Sequence, residues 1–163
     1  MITNQGVSPP ICGATPHCIG RNMSFADDLL KIFRSTIEID VGLNEFTFTC
    51  KTNTLRLETF IDIDDRTDKE ILISVGGDPK FKTNNLRINL FNSEDHNGQR
   101  NKCEYLEVFF KYAFKTLIDK KIFIRPKVIF KNVNNLNSCL AGYQAFLLEE
   151  TAIRAGAMEC TFE

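Results

Sequence analysis

The chain has no tryptophan, only two histidines and no Cys-x-x-Cys pair, and the last two shortages weigh against a metal centre. A structural zinc centre takes four Cys or His ligands, usually as two closely spaced pairs. Cys12, His17 and Cys18 could form one such group, but the other histidine, His96, stands far along the chain. The six cysteines, at positions 12, 18, 50, 103, 139 and 160, are scattered, so they read as free thiols of a reducing compartment. Net charge is lacking too: 20 basic against 21 acidic residues leave a formal charge of -1. Nothing global then draws the chain to nucleic acid, and no nucleic-acid partner is expected. No apolar run approaches the roughly 18 residues of a membrane-crossing helix, and no basic stretch followed by an apolar one opens the chain. A cytoplasmic protein is expected.

What is present is enough for one domain. At 163 residues the chain can bury a usable core. Residues 1–22 hold Pro9, Pro10, Pro16, three glycines and no hydrophobic period, and are expected to form an irregular leader. Met23 then offers a second start. From Ser24 an amphipathic helix is predicted, within residues 23–35. Ser24 caps it, Asp27 and Asp28 occupy its first turn, and Lys31 and Arg34 lie near its end, as the helix dipole favours. Phe25, Leu29, Ile32 and Phe33 share one face, which has two readings: it packs on the domain's own core, or it lies on a membrane surface.

Residues 36–50 alternate as strands do. Ile37, Ile39 and Val41 precede the turn Gly42-Leu43-Asn44, and Phe46, Phe48 and Cys50 follow it, which predicts a hairpin. Asp40 closes the first strand beside the glycine turn, an arrangement that can hold a phosphate-bound Mg²⁺ through water or can serve simply as turn chemistry. Further strands are predicted at Leu55–Ile63, Ile71–Val75 and around Leu86–Phe91. The acidic stretch from Asp62 to Asp68 lacks the glycine and terminal glutamate of a calcium loop and is read as a solvated turn. Gly76-Gly77 lacks the lysine and hydroxyl of a nucleotide P-loop. The strongest helix is Asn101–Asp119, with Leu106, Phe109, Phe110, Ala113 and Leu117 on one stripe.

In the last third, Pro126 introduces the β-branched run Val128-Ile129-Phe130, so Lys127–Lys131 reads as a buried strand. An asparagine-rich loop follows, from Asn132 to Asn137. One helix is then predicted from Ser138 to Ala155, capped by Asn137 or Ser138 and stopped by Gly156. Met158, Cys160 and Phe162 open another strand. Strand, helix and strand make a parallel crossover, so the fold class is α/β, a mixed sheet with flanking helices.

Five pieces resemble, in order and spacing, the MreB family of bacterial actin-like cytoskeletal proteins. They are Ile39-Asp40-Val41-Gly42, the segment 65–80, the helix over 104–118, the strand at Arg125–Phe130, and the stretch Glu149–Phe162 with its Ala155-Gly156-Ala157 turn. The resemblance runs from about Met23 to Glu163. It implies the first lobe of the actin-like, ribonuclease H-like ATPase fold over residues 36–163, incomplete because the sequence ends near where the family's hydrolytic glutamate would stand. It implies that Asp40 and Gly42 are the cofactor-binding residues for ATP and Mg²⁺. It also implies that Phe25, Leu29, Ile32 and Phe33 bind the inner face of the cell membrane, that other actin-like subunits are partners, and that the role is in cell shape. The chain departs from the pattern after Gly42. Leu43, Asn44, Glu45 and Phe46 stand where the family has small and hydroxyl residues, and Glu45 adds negative charge to a phosphate turn. With one lobe there is a single clamp on phosphate, so no catalytic residue is assigned and hydrolysis is not expected of this chain alone. Two other readings remain: one lobe of an ATP-dependent enzyme completed by another chain, and an interaction module that uses no nucleotide.

Overall fold

The computed structural model describes residues 34–64, 71–77, 85–91, 102–118 and 125–163. The expected leader, the helix with Phe25, Leu29, Ile32 and Phe33, the turn after Asp64 and the loop with His96 lie outside the described residues.

The first hairpin forms where alternation placed it. Strands β1 (Thr36–Val41) and β2 (Glu45–Cys50) pair antiparallel, and β3 (Asn53–Glu58) pairs with β2. Strand β7 (Lys127–Lys131) lies parallel to β1, and β8 (Glu159–Phe162) lies parallel to β7. The result is a five-stranded mixed sheet in the order β3-β2-β1-β7-β8. Inward positions alternate with outward ones, so Ile37, Ile39, Val41, Phe46, Phe48, Val128 and Phe130 share a buried face. Thr36, Glu38 and Asp40 are exposed on the opposite face.

Helix α1 (Lys102–Leu117) covers the apolar face with Leu106, Phe109, Phe110, Ala113 and Phe114, and it packs on the later helix α3 (Gln144–Ala155). Its ends suit its dipole, with Glu104 in the first turn and Lys115 in the last. Five phenylalanine rings from β2, α1 and β7, those of Phe46, Phe48, Phe109, Phe110 and Phe130, are fully buried at the centre of the core.

A second sheet was not anticipated as a separate body. Strands β4 (Phe60–Asp64), β5 (Ile71–Val75) and β6 (Asn85–Asn89) form an antiparallel sheet in the order β5-β4-β6. Thr59 and Gly76 join it to the first. Glu58 N–H at the end of β3 donates to Gly76 O at 3.4 Å, Thr59 N–H donates to Asn44 O in the first hairpin turn at 2.9 Å, and Gly76 takes φ 53°.

Two expectations are corrected. The helix predicted from Ser138 to Ala155 is broken. A 3-10 turn (Val133–Leu136) leads into a single helical turn α2 (Asn137–Leu140), and α3 begins only at Gln144. Ala141 and Gly142 both take left-handed φ values, 47° and 95°, and two such residues in succession cannot continue a right-handed helix. Neither Asn137 nor Ser138 caps α3. Instead Asn137 Oδ1 accepts a hydrogen bond from Gln144 Nε2 across the break. Gly156 does stop α3, with φ 114° and its N–H bonded to Ile153 O.

The second correction concerns Asp62, read as part of a solvated turn. It lies within β4 and is 3 % exposed. Arg87 Nε donates to its Oδ1 at 2.9 Å, Ser74 Oγ donates to its Oδ2 at 2.6 Å, and the guanidinium also stacks 3.8 Å from the Phe60 ring centroid. Burial alone pushes the Asp62 carboxyl up, but the hydrogen bonds from Arg87 and Ser74 and the guanidinium charge together hold it below the usual carboxylate range. The group's stabilising contribution is therefore complete above the pKa of an unfolded aspartate and is lost as pH falls through the lower folded value. Asp62→Asn is expected to cost about 1–2 kcal/mol at neutral pH, a charged hydrogen bond discounted for the half-exposed guanidinium. Urea midpoints measured from neutral to acid pH should show a shallower acid decline in the variant, and identical slopes for both proteins would count against the assignment.

Candidate functional site

The carboxyl ends of the parallel strands gather the polar residues that the sequence singled out, and ligands of open α/β sheets bind at this end. In register, Asp40 on β1 faces Lys131 on β7, and Phe130 on β7 faces Phe162 on β8. Glu163 N–H continues that pairing onto Phe130 O at 2.8 Å. Asp40, Lys131 and Glu163 are thereby brought to one edge.

Asp40 is exposed, and Asn132 Nδ2 donates to its Oδ1 at 2.8 Å. Asn132 can reach it because its backbone is left-handed, φ 58°, which turns the chain sharply after β7 and which asparagine tolerates well. Three residues on, Asn135 Nδ2 donates to Val41 O at 2.8 Å. The asparagine-rich loop is therefore stitched to the end of β1, a role its composition alone did not reveal.

Gly42 begins the turn between β1 and β2. Its N–H donates to Glu45 O at 3.0 Å, and a Cβ added there would stand 2.5 Å from that same oxygen, so the close approach requires glycine. Thr59 holds the far side of the turn: its hydroxyl donates to Leu43 O at 2.9 Å and its N–H to Asn44 O at 2.9 Å. Thr59 escaped the sequence reading, since a lone threonine between two strands carries no signal of contact with a turn fifteen residues earlier.

The electrostatics of this edge are mixed. Lys131 Nζ bonds to Glu38 Oε2 at 2.8 Å and lies 3.9 Å from Glu163 Oε2. The Glu38 hydrogen bond, with the charges of Glu38, Glu163 and Asp40, raises the lysine above its usual range. Glu45 and Glu58 are direct cross-strand partners, two like charges side by side.

Other chemistry finds less support. Among the described residues no group of three His, Cys, Asp or Glu is placed to hold a metal ion, and Cys12, His17, Cys18 and His96 lie outside them. Cys160 is pushed up to about 11 by burial and by Glu149 and Glu159, which suits an inert thiol rather than a nucleophile. No helix of the described residues is long and apolar enough to cross a membrane.

No protein-family model matches the sequence, and no curated protein matches it either. Solved structures do match in fold. One is MreB5 of Spiroplasma citri bound to ADP, with TM-score 0.57 and 15% identity over 80% of this chain and 38% of that one. The same protein bound to AMPPNP matches with TM-score 0.57 and 14% identity at the same coverage. A non-polymerising MamK mutant bound to AMPPNP matches with TM-score 0.55 and 10% identity over 79% of this chain and 40% of that one. The chain spans about two-fifths of the length of these structures, and at such identities the likeness is one of fold.

Proposed function

We propose that this chain, which has the mixed α/β fold found in actin-like proteins, is an MreB-like cytoskeletal protein. In this reading it works as a scaffold at the inner face of the cell membrane, without ATPase activity of its own. The observation that carries the reading is the fold match to MreB5 over four-fifths of the chain. The amphipathic face of Phe25, Leu29, Ile32 and Phe33 supplies the membrane contact. Partner subunits, copies of this chain or other actin-like proteins, meet exposed surfaces such as the outer side of α3, where Tyr143 and Phe146 are 72% and 67% exposed.

The neighbours' ADP and AMPPNP make a Mg²⁺-nucleotide the cofactor to consider, with Asp40 and Gly42 as its residues. The groups around them suit it poorly. Asp40 is engaged by Asn132, the Gly42 N–H by Glu45, and the neighbouring Lys131 by Glu38. Glu45, which ends the turn, and its cross-strand partner Glu58 add negative charge on this side of the sheet, which disfavours a phosphate. The reading therefore routes no step through nucleotide. Binding of ATP by a two-lobed assembly with another chain is the competing reading, and calorimetry with an Asp40→Ala control separates the two: heat of Mg·ATP binding lost on that substitution would favour it.

Sedimentation tests the proposal itself. The full chain is expected to pellet with anionic liposomes, and the double variant Phe25→Glu, Phe33→Glu to stay in the supernatant. Filaments or sheets on those liposomes are expected by electron microscopy. A chain that neither pellets nor assembles, with liposomes or without them, would sink the cytoskeletal reading.

A further inference from the structure

We propose that the chain closes its first hairpin turn with its own side chains, so that the turn is set independently of any nucleotide. This rests on the reading above in one respect, that the turn after β1 is where an actin-like protein would present its amides to phosphate. Five hydrogen bonds converge on residues 40–45 from three directions. The turn bonds to itself through Gly42 N–H and Glu45 O, 3.0 Å apart. From the joint between the sheets, Thr59 holds the Leu43 carbonyl with its hydroxyl and the Asn44 carbonyl with its N–H, each at 2.9 Å. From the loop after β7, Asn135 holds the Val41 carbonyl and Asn132 the Asp40 carboxylate, each at 2.8 Å.

The anchors are themselves fixed. Thr59 is 1% exposed and its own carbonyl is bound by Leu90 N–H. Asn135 N–H donates to Asn132 O at 3.0 Å, which ties the two asparagines into one short turn. With its carbonyls held from outside and its first amide bonded within the turn, this segment keeps its shape without an anion to organise it. A phosphate accepting from the Gly42 N–H would have to displace the bond to Glu45 O, and an acceptor stripped of its partner costs more than the average bond returns. The paired Glu45 and Glu58 raise that barrier further. The asparagine-rich loop and Thr59 thus hold the turn through its carbonyls and the Asp40 carboxylate, with no anion required.

Hydrogen exchange of the full chain tests the brace. The Gly42 amide is expected to be equally protected in ligand-free protein and in millimolar Mg·ATP, with no shift in melting temperature. Thr59→Val should raise its exchange about three- to tenfold, the loss of one net hydrogen bond, and Thr59→Ser should restore protection. Since Thr59 is buried, the exposed pair Asn132→Ala and Asn135→Ala provides the same readout without touching the core, with a similar rise expected. Protection that appears only with Mg·ATP overturns the proposal and leaves the actin-like reading standing. Exchange unchanged in every variant overturns it as well. A brace that behaves as expected in a chain that fails to sediment or assemble would instead sink the cytoskeletal reading alone.

Discussion

Phe110→Ala is expected to lower the stability of the chain by about 3–5 kcal/mol, the range for deleting a fully buried aromatic ring. Among the described residues no other ring touches so many of its kind. Phe110 is completely buried, and its centroid lies 6.3 Å from Phe46, 6.1 Å from Phe48, 6.1 Å from Phe109, 5.9 Å from Phe114 and 5.9 Å from Phe130. It therefore sits where α1 meets both the antiparallel and the parallel halves of the five-stranded sheet. Truncation removes the transfer free energy of the ring and leaves a cavity that three elements cannot all move to fill. Urea unfolding should show the loss as a lower midpoint at an unchanged slope. Tyr143→Ala, at a site 72% exposed, should stay within about 0.5 kcal/mol of wild type. A Phe110→Ala midpoint equal to that of Tyr143→Ala would mean that the ring cluster is not what holds the layers together.

Gly76→Ala is the second large effect, at about 2–5 kcal/mol. Two causes add: a left-handed φ that alanine adopts at a cost of about 1–2 kcal/mol, and an overpacked contact costing about 1–3 kcal/mol. The added Cβ would stand 2.7 Å from Leu57 Cβ and 2.9 Å from Glu58 O, where the second sheet turns against β3. Leu57 and Glu58 end a strand whose partners are fixed, so the contact cannot relax by rotating a flexible side chain. Gly142→Ala separates the two causes. Gly142 also has a left-handed φ, 95°, but nothing lies within 4 Å of its added Cβ, so only the backbone cost applies. Equal losses from the two substitutions would show that the joint between the sheets has room to spare. A larger loss at Gly76 would show that the joint between the sheets is tightly packed.

The candidate site was half legible. Asp40 and Gly42 drew attention because an aspartate at a strand end beside a glycine has recognisable chemistry. Their structural neighbours did not. Asn132 and Asn135 reach Asp40 and Val41 from more than ninety residues away in sequence, and Thr59 reaches the turn from the next strand corner. Asp62 was misplaced for a related reason. Its neighbours Asp64, Asp65 and Asp68 make a polar local composition, while its burial depends on Arg87 and Ser74, which strands β5 and β6 deliver.

The sequence by itself determined the elements whose signal is periodic and local. Alternation from Ile37 to Cys50, with a glycine turn between, can only put its apolar side chains on one face as a hairpin. The 3.6-residue stripe of Leu106, Phe109, Phe110, Ala113 and Leu117 makes one covering helix, and Pro126 before a β-branched run marks the start of a strand. Tertiary structure alone decided what periodicity does not encode: the division of the strands into two sheets, the break at Ala141 and Gly142, and the closing of the first turn by Thr59 and two asparagines. Period reports which residues share a face. Which faces meet, and which carbonyl a distant side chain can reach, depends on contacts made only once the chain has packed.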